Sequence, residues 1–199
     1  MNLDFIKMII VESEGPRIPH PEDAIFVSLA DAQKYERALE EAIANSDQVS
    51  IKWDGGIALF FGYTPAGEFF INDKYMPEGF YAKSPAEWEY YDTQVKKSRT
   101  PRPSLYPKIA AIWEGLKANV TDRAVFKGDL MAVNPEGGSL PMENGAYIFP
   151  EAPTVKYRIP ANSPIGSALK GKVGAVVVHQ KDGAPWDGKS GLANKGNVA

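Results

Sequence analysis

The sequence predicts an α+β fold with largely antiparallel sheets and flanking helices. Short aromatic and β-branched segments joined by turn residues occur both early and late in the chain, and two helical patterns stand between them. Helices and strands do not alternate one by one, as they would in a parallel βαβ protein. The 199 residues suit one domain, or one domain with a small appendage.

The elements of the first half follow from local patterns. Residues 31–45 place apolar side chains three and four apart, which predicts a helix capped by Ser28 or Asp31. The segments VSIKWDGGIALFFGY and GEFFINDKYM predict strands joined by a TPAG turn. A second helix begins at Ser84, because a serine cap, a proline at the first helical position and a glutamate three residues after the cap coincide there.

The second half begins with a helix and continues mostly as strands. Residues 104–119 carry an apolar stripe that predicts a third helix. The segments DRAVFKGDLMAV, GAYIFP, TVKYRIP and KVGAVVVHQ predict strands with turns at PEGG, MENG and PEAP, and SPIGSALKG predicts a two-turn helix. The basic segment 96–102 is explained by the favourable position of cations at a helix end, with a nucleic-acid contact as the alternative.

Composition excludes several classes of protein. With 44% hydrophobic and 24% charged residues, the chain has the makeup of a folded domain. It has no cysteine and only two histidines, His20 and His179, which excludes disulfide scaffolds and thiol nucleophiles and disfavours a histidine-rich metal site. No apolar run approaches the roughly 18 residues of a transmembrane helix, and the start does not resemble a signal peptide. We therefore expect a cytoplasmic protein without membrane contact.

Charge is distributed unevenly along the chain. Residues 1–50 hold 10 acidic and 4 basic residues, a balance of −6, whereas the remainder has a balance of +3. The net charge of −3 argues against a general nucleic-acid coating protein but leaves room for a local basic groove. We divide the chain into an acidic lead-in and helix (1–50), a core (51–180) and a loop-like tail (181–199), with no separate oligonucleotide-binding barrel.

The sharpest local feature is Lys52-Trp53-Asp54-Gly55-Gly56. On its own it is typical of an edge-strand lysine followed by an Asp-Gly turn. The pattern KxDG also resembles motif I of the covalent nucleotidyltransferases, which include ATP-dependent DNA and RNA ligases and mRNA capping enzymes. The resemblance implies a fold like the ligase adenylation domain, with Lys52 attacking the α-phosphate of ATP to form a lysyl-AMP intermediate.

The residue types of the motif suit that chemistry. A lysine is nucleophilic only when neutral, so burial and nearby cations must lower its pKa. Gly55 and Gly56 let the backbone approach a phosphate with open N–H donors. Asp54 would raise the lysine pKa rather than lower it, so we interpret it as a positioning group near the nucleotide.

Later segments resemble the remaining motifs in order. Gly128-Asp129 corresponds to motif III, which makes Asp129 the expected metal or ribose contact, and Lys74 corresponds to the basic residue of motif Ia. In motif IV, Val173 stands where the family has an acidic residue facing the cleft, and His179 stands where it has a lysine. His179 could equally be a strand-end histidine with a purely structural role.

Two further contacts are left open by the resemblance. Lys181, Lys189 and Lys195 are candidates for motif V, and of these we expect Lys189 to be the phosphate contact. Tyr147 or Tyr157 could stack on the base, and Tyr157 is the candidate that we carry forward.

A narrower similarity covers about residues 19–180. Uncharacterised proteins of tailed phages carry HPED, KWDG, xDK, GDL and TVxY elements and a GxxxH ending in the same order. The corresponding residues here are His20–Asp23, Lys52–Gly55, Asp73-Lys74, Gly128–Leu130, Thr154–Tyr157 and Gly174–His179. The similarity implies a ligase-like module of a bacteriophage, located in the host cytoplasm.

These observations predict an ATP-dependent, polynucleotide-ligase-type nucleotidyltransferase that uses ATP and Mg²⁺ and transfers AMP to a nucleic-acid 5′-phosphate. The donor could also be GTP or NAD, and the acceptor DNA, RNA or protein. The valine at position 173 suggests an alternative, a degenerate nucleotide- or nucleic-acid-binding module without turnover. The acidic first fifty residues suggest another, a structural or interaction protein of the virion.

Overall fold

The computed structural model describes residues 27–45, 56–95, 100–150, 156–193 and 195–199. The described helices are α1 (Leu29–Ala44), α2 (Pro85–Tyr90), α3 (Tyr106–Asn119) and α4 (Pro164–Ala168), with a π-helical turn at Tyr91–Val95 after α2. The described strands are β1 (Ile57–Tyr63), β2 (Phe69–Asp73), β3 (Val125–Val133), β4 (Met142–Glu143), β5 (Ala146–Phe149), β6 (Tyr157–Pro160), β7 (Gly174–Lys181) and β8 (Ala184–Pro185). The chain divides into two compact units, Met1–Lys52 and Trp53–Ala199.

The described strands form two antiparallel sheets. The main sheet has the order β2-β1-β3-β7-β8, and the second sheet has the order β4-β5-β6. Every pairing between these strands is antiparallel. Together with the flanking helices, this arrangement confirms the predicted α+β class.

Helix α1 is the described element of the first unit. It begins two residues before the predicted start, because the Ser28 side chain accepts a hydrogen bond from the Asp31 N–H at 3.1 Å and so caps the first turn. Its apolar residues share one face, as the sequence predicts, and none of them is buried.

Helices α2 and α4 begin where the sequence predicts, and α3 begins two residues after its predicted start. The Ser84 hydroxyl accepts from the Glu87 N–H at 3.1 Å, while the Glu87 carboxylate accepts from the Lys83 N–H at 2.9 Å. These two bonds satisfy donors that a helix start leaves free. In α3, the stripe that includes Ile109 and Ile112 is fully buried.

The first core lies on the face of the main sheet that α2 and α3 cover. Its central members are Leu59, Phe61, Ile71, Trp88, Ile109, Ile112, Leu116, Phe126 and Leu130. Phe61 and Phe126 stack across neighbouring strands at 5.7 Å between ring centroids. Burying aromatic and branched side chains of this size is the largest favourable contribution to the free energy of folding.

The second core lies between the opposite face of the main sheet and the second sheet. A β-bulge on β3 between Leu130 and Ala132 adds one residue, so that Met131 and Ala132 both join the second core while Val133 returns to the first. The second sheet and its surroundings contribute Leu140, Tyr147, Phe149, Ile159 and Leu169. The predicted MENG turn closes the β4-β5 hairpin, with Asn144 and Gly145 both at positive φ, 48° and 74°, as a two-residue turn requires.

The described residues after β7 are largely irregular, but the end of the chain is packed. Val198 is fully buried in the first core. The Asn119 side chain binds this segment: its amide nitrogen donates to Val198 O at 2.8 Å, and its oxygen accepts from the Gly196 N–H at 2.6 Å. Ala199 pairs with β7 through its N–H, which donates to Gly174 O at 3.0 Å.

Candidate functional site

The motif I residues Lys52, Asp54 and Gly55 lie outside the described residues. Their neighbour Gly56 is described, and its N–H donates to Leu130 O at 3.1 Å. Strand β1 then runs antiparallel to β3, with Ala58 opposite Asp129. The chain that follows the KWDG motif is therefore bonded to the strand that carries the motif III residues.

Strand β3 presents two kinds of side chain to its two faces. Phe126, Gly128 and Leu130 are buried towards the first core, whereas Lys127 and Asp129 point to the opposite face and are partly exposed. Asp129 stands between Ala58 on β1 and Val177 on β7. Its carboxylate is thus flanked by short apolar side chains on both neighbouring strands.

A second β-bulge brings His179 to Asp129. Lys127 pairs with Gln180 and Gly128 with Val178, so His179 is the additional residue on β7. A bulge redirects the side chain that it inserts. The result is a distance of 3.2 Å between His179 Nε2 and Asp129 Oδ2, with the side chains 35% and 20% exposed. This pair unites the segments assigned to motifs III and IV.

Gly128 lets the two strands approach closely beside the bulge. A Cβ atom at this position would lie 2.6 Å from Val177 O and 3.1 Å from Val176 Cγ1. Contacts this short are not tolerated, so any side chain would push β7 away from β3. The glycine therefore helps to hold His179 beside Asp129.

Phe60 lies on the same face, next to Lys127. The two residues are directly opposite each other on β1 and β3, and Lys127 Nζ lies 5.7 Å from the centre of the Phe60 ring. Both side chains are partly exposed, whereas Leu59 and Phe61 on either side of Phe60 are buried. The sequence interpretation missed both residues, although the position of Lys127 two residues before Asp129 was a usable signal.

Lys74 follows β2 at the same end of the main sheet as Asp129. Asp73 pairs with Leu59, which in turn pairs with Gly128. One strand separates β2 from β3, so the strand axes lie about 10 Å apart. Lys74 Nζ lies 5.1 Å from the centre of the Tyr75 ring.

A buried ionic cluster fixes the turn beside Lys74. Arg102 Nη2 lies 2.6 Å from Asp73 Oδ2 and 2.6 Å from Asp92 Oδ1, and both carboxylate side chains are fully buried. Tyr106 donates its hydroxyl to Asp92 Oδ2 at 3.0 Å. We call Asp73, Asp92, Arg102 and Tyr106 the Arg102 cluster. Arg102 thus serves the interior of the unit, which disfavours the nucleic-acid alternative for this residue of the basic segment.

In the Arg102 cluster, hydrogen bonds and neighbouring charges together shift the pKa values of Asp92 and Arg102 more than burial does. Burial alone would raise the pKa of the Asp92 carboxyl, but hydrogen bonds from Arg102 and Tyr106 hold that pKa below its ordinary value. Burial alone would lower the pKa of the Arg102 guanidinium, but Asp92 and Asp73 raise it. The lowered pKa of Asp92 and the raised pKa of Arg102 both favour the charged forms that make this ion pair.

The remaining predicted contacts are dispersed. Tyr157 begins β6 and is half-buried against the second core, and Tyr147 is buried within that core. Lys189 is exposed, and its N–H donates to Asp187 Oδ1 at 2.8 Å. Its neighbour Trp186 contacts Phe126, which belongs to the helix-covered face of the main sheet. The structure does not bring Lys189 to the face that carries Asp129.

The expectation that Val173 faces the cleft is wrong. Val173 is 2% exposed and belongs to the first core. Its N–H donates to Asn197 O, and its carbonyl accepts from the Asn134 N–H at 2.8 Å. The residues of β7 that do face the side of Asp129 are Ala175, Val177 and His179. The acidic position of motif IV therefore has no counterpart at Val173.

The described part of the chain shows neither a metal-binding group nor a membrane-spanning helix. Within these residues no three histidine, aspartate or glutamate side chains gather as a metal-binding group. Among the same residues we find no helix whose length and apolar character would let it cross a membrane.

Comparison with known protein families identifies the family to which the chain belongs. A family model described as "Family of unknown function (DUF6267)" matches residues 17–185, and the chain belongs to this family. No curated protein and no solved structure matches the chain.

Proposed function

We propose that this chain is an ATP-dependent nucleotidyltransferase of the polynucleotide-ligase type, with a fold like the ligase adenylation domain. The observation that carries the proposal is the position of Asp129. It lies on the face of the main sheet opposite α2 and α3, is 20% exposed, and has its Oδ2 atom 3.2 Å from His179 Nε2 and its backbone one residue from Leu130, the partner of Gly56. The segments assigned to motifs III and IV thereby lie on neighbouring antiparallel strands, and Gly56, the first described residue after motif I, is bonded to the same strand as Asp129.

The proposed chemistry assigns the nucleophile to Lys52. The neutral amine of Lys52 attacks the α-phosphorus of ATP, a phosphorus–nitrogen bond forms, and the bond to the bridging oxygen breaks. Pyrophosphate leaves, and the amine loses a proton to solvent. A nucleic-acid 5′-phosphate then displaces the lysine and accepts the AMP. Asp54, Gly55 and Lys74 would contact the nucleotide, and Tyr157 would stack on the base. Lys189 stays without a role, because the tail beside it packs on the helix-covered face of the main sheet.

A magnesium ion is compatible with Asp129 as a single protein ligand. Magnesium prefers oxygen ligands and commonly retains several waters while binding one carboxylate and the phosphates of a substrate. The Asp129 side chain is 20% exposed and flanked by short side chains, so a hydrated cation can reach it. Bound there, the ion would offset the negative charge of the phosphates.

Covalent labelling tests the proposal. The full-length protein is incubated with ATP labelled at the α-phosphate and with Mg²⁺, then denatured and separated by electrophoresis. We expect label on the protein that added pyrophosphate removes. Lys52→Ala and Lys52→Arg should both abolish it, since a guanidinium is never neutral near physiological pH. Lys117→Ala, which removes an exposed lysine of α3, serves as the matched control and should label normally.

The same assay identifies the nucleotide donor and can refute the proposed transfer. Parallel reactions with labelled GTP and NAD show which nucleotide is used. Absence of label with all three donors, under conditions in which the protein is folded, refutes nucleotidyl transfer. Full labelling of Lys52→Ala refutes Lys52 as the nucleophile.

A second candidate is a nucleotide-binding module without turnover. The observation that favours it is the burial of Val173, which leaves the face that carries Asp129 without the family's acidic residue at this position. Retained ATP binding without covalent label distinguishes this candidate. For either function we propose that the module acts in the cytoplasm, the host cytoplasm if a phage encodes it, where ATP and nucleic-acid ends are present.

A further inference from the structure

We propose that Phe60 and Lys127 form a platform for single-stranded nucleic acid, with the Phe60 ring stacking on a base and the Lys127 ammonium contacting a phosphate. The inference rests on the proposed function only in identifying the bound strand as the acceptor. We call these two residues the Phe60–Lys127 platform.

The first argument is the unusual position of the phenylalanine. Strand β1 is a continuous apolar run. Leu59 and Phe61, the residues on either side of Phe60, are 0% and 1% exposed in the first core. Phe60 points to the other face and remains partly exposed there. A partly exposed aromatic ring offers a surface on which any base can stack.

The second argument is charge complementarity. Lys127 Nζ lies 5.7 Å from the centre of the Phe60 ring. A cation–π contact at an exposed site is weak compared with the stacking of a base on an aromatic side chain. A base can therefore take the place of the ammonium on the ring, and the released cation is then beside the strand's own phosphate. A cation next to a stacking surface is the combination that sequence-tolerant single-strand binders use.

The third argument concerns specificity. On the other side of Phe60, its neighbour on β2 is Asn72, whose amide nitrogen donates to Phe80 O and whose oxygen accepts from the Ala82 N–H. This side chain is engaged in holding the loop after β2 and is not arranged to read a base edge. Asn72 thus adds no discrimination among bases on this side of the ring, which suits a polynucleotide of variable sequence better than one defined nucleotide.

The fourth argument is distance. Lys127 and Asp129 are two residues apart on β3, and an antiparallel strand rises about 3.4 Å per residue. The platform therefore lies about 7 Å along β3 from the Asp129–His179 pair, measured between backbone positions. This is the placement that an acceptor end would need if AMP is transferred at Asp129.

Fluorescence anisotropy tests the platform in the full-length protein. The probes are a labelled twelve-nucleotide DNA of mixed sequence, an RNA of the same sequence and the corresponding DNA duplex. We expect both single strands to bind more tightly than the duplex. Phe60→Leu keeps an apolar side chain but removes the ring, and it should weaken single-strand binding by about 5- to 150-fold. Phe60→Trp should retain binding.

The lysine is tested by salt dependence. Each phosphate contact to a single strand contributes about 0.7 to the slope of log K against log salt concentration. Lys127→Gln should therefore reduce that slope by about 0.7. Tyr90→Leu and Lys117→Gln remove an exposed aromatic ring and an exposed lysine elsewhere, and both should bind as the unsubstituted protein does. Melting temperatures establish that each variant is folded.

The outcomes separate the two proposals. No single-strand binding by the unsubstituted protein, equal binding of the duplex, or an unchanged affinity and salt slope in both variants overturns the platform. Loss of ATP labelling in Phe60→Leu with unchanged oligonucleotide binding also overturns it, because the ring would then hold the nucleotide donor. If the unsubstituted protein is not labelled by ATP but binds single strands through Phe60, the platform stands and the proposed transfer activity fails.

Discussion

Replacing Arg102 by methionine should destabilise the second unit strongly. The substitution keeps a long apolar side chain but removes the cation between two carboxylates that are fully buried. It also removes a guanidinium carbon that lies 5.1 Å from the centre of the Trp88 ring. The backbone N–H of residue 102, which donates to Asp92 Oδ2 at 2.7 Å, is unaffected.

The size of the loss follows from the hydrogen bonds that remain. Removing one partner of a buried ion pair costs about 3–5 kcal/mol. In the variant, Asp92 would keep the Tyr106 hydroxyl and the backbone N–H, and Asp73 Oδ1 would keep the Tyr75 N–H at 2.8 Å. These bonds place the expected loss at the lower end, about 3 kcal/mol, which lowers the melting temperature by about 6–12 °C for a unit of this size.

The pH dependence gives the sharper assay. In the unsubstituted protein the pKa of Asp92 lies below its ordinary value, so its contribution to stability is present above that value and is lost as the pH falls through the folded-state pKa. Without Arg102, burial should raise the pKa of Asp92, so folding would favour its protonated form. The stability deficit of Arg102→Met, measured by denaturant unfolding, should therefore shrink as the pH falls from 7 towards about 4.

Lys83→Met is the matched control, because Lys83 and Glu68 form an ion pair at 2.8 Å whose side chains are 43% and 50% exposed. Exposed pairs contribute little, so this variant should unfold much as the unsubstituted protein does. An Arg102→Met deficit below about 1 kcal/mol, or one that grows as the pH falls, would refute the electrostatic account of the cluster.

Three further substitutions are informative. Val173→Glu puts a charge into the first core and should cost about 3 kcal/mol or more in denaturant unfolding, and a stable variant would show that the side chain reaches solvent. Gly128→Ala inserts a Cβ atom 2.6 Å from Val177 O and should cost about 1–3 kcal/mol, and an unchanged unfolding midpoint would contradict the close approach. Asp129→Asn should slow covalent labelling on the order of a hundredfold with little change in melting temperature, and unchanged labelling would remove Asp129 from the transfer step.

Helix starts could be predicted from the sequence because they depend on neighbouring residues. Ser84 and Ser163 each precede a proline, and in both cases the serine hydroxyl accepts from the backbone N–H three residues later. All the atoms involved lie within one turn, so a short pattern contains the whole interaction. The same holds for the Asn144-Gly145 hairpin turn, in which two residues determine the backbone conformation.

The faces of the strands could not be predicted, because they depend on pairing between distant segments. A shift of one residue moves a side chain to the other face of a sheet, and a bulge produces such a shift. The bulge at His179 exists only because β7 pairs with β3, some fifty residues earlier. Val173 was assigned to the cleft by its order in the motif, which contains no information about this register.

The tail (181–199) is a second case in which a local sequence pattern cannot reveal long-range packing. Its glycine, asparagine and lysine content predicts a loop, and most of its described residues are irregular. Val198 is nevertheless fully buried, since its carbonyl accepts from the Asn119 amide 79 residues earlier in the chain. Local composition describes the backbone of this segment correctly but cannot reveal where it packs.

The two proposals make opposite demands on the face of the main sheet that carries Phe60 and Asp129, and this opposition separates them. Transfer requires the Asp129 carboxylate, whereas strand binding at the Phe60–Lys127 platform requires a ring and a cation, and a nearby negative charge can only oppose a phosphate. Asp129→Asn should therefore impair labelling while leaving strand binding intact or stronger. Phe60→Leu should do the reverse. If both variants instead lose labelling and keep strand binding, Phe60 and Asp129 contact a single ligand, and that ligand is the nucleotide rather than the acceptor strand.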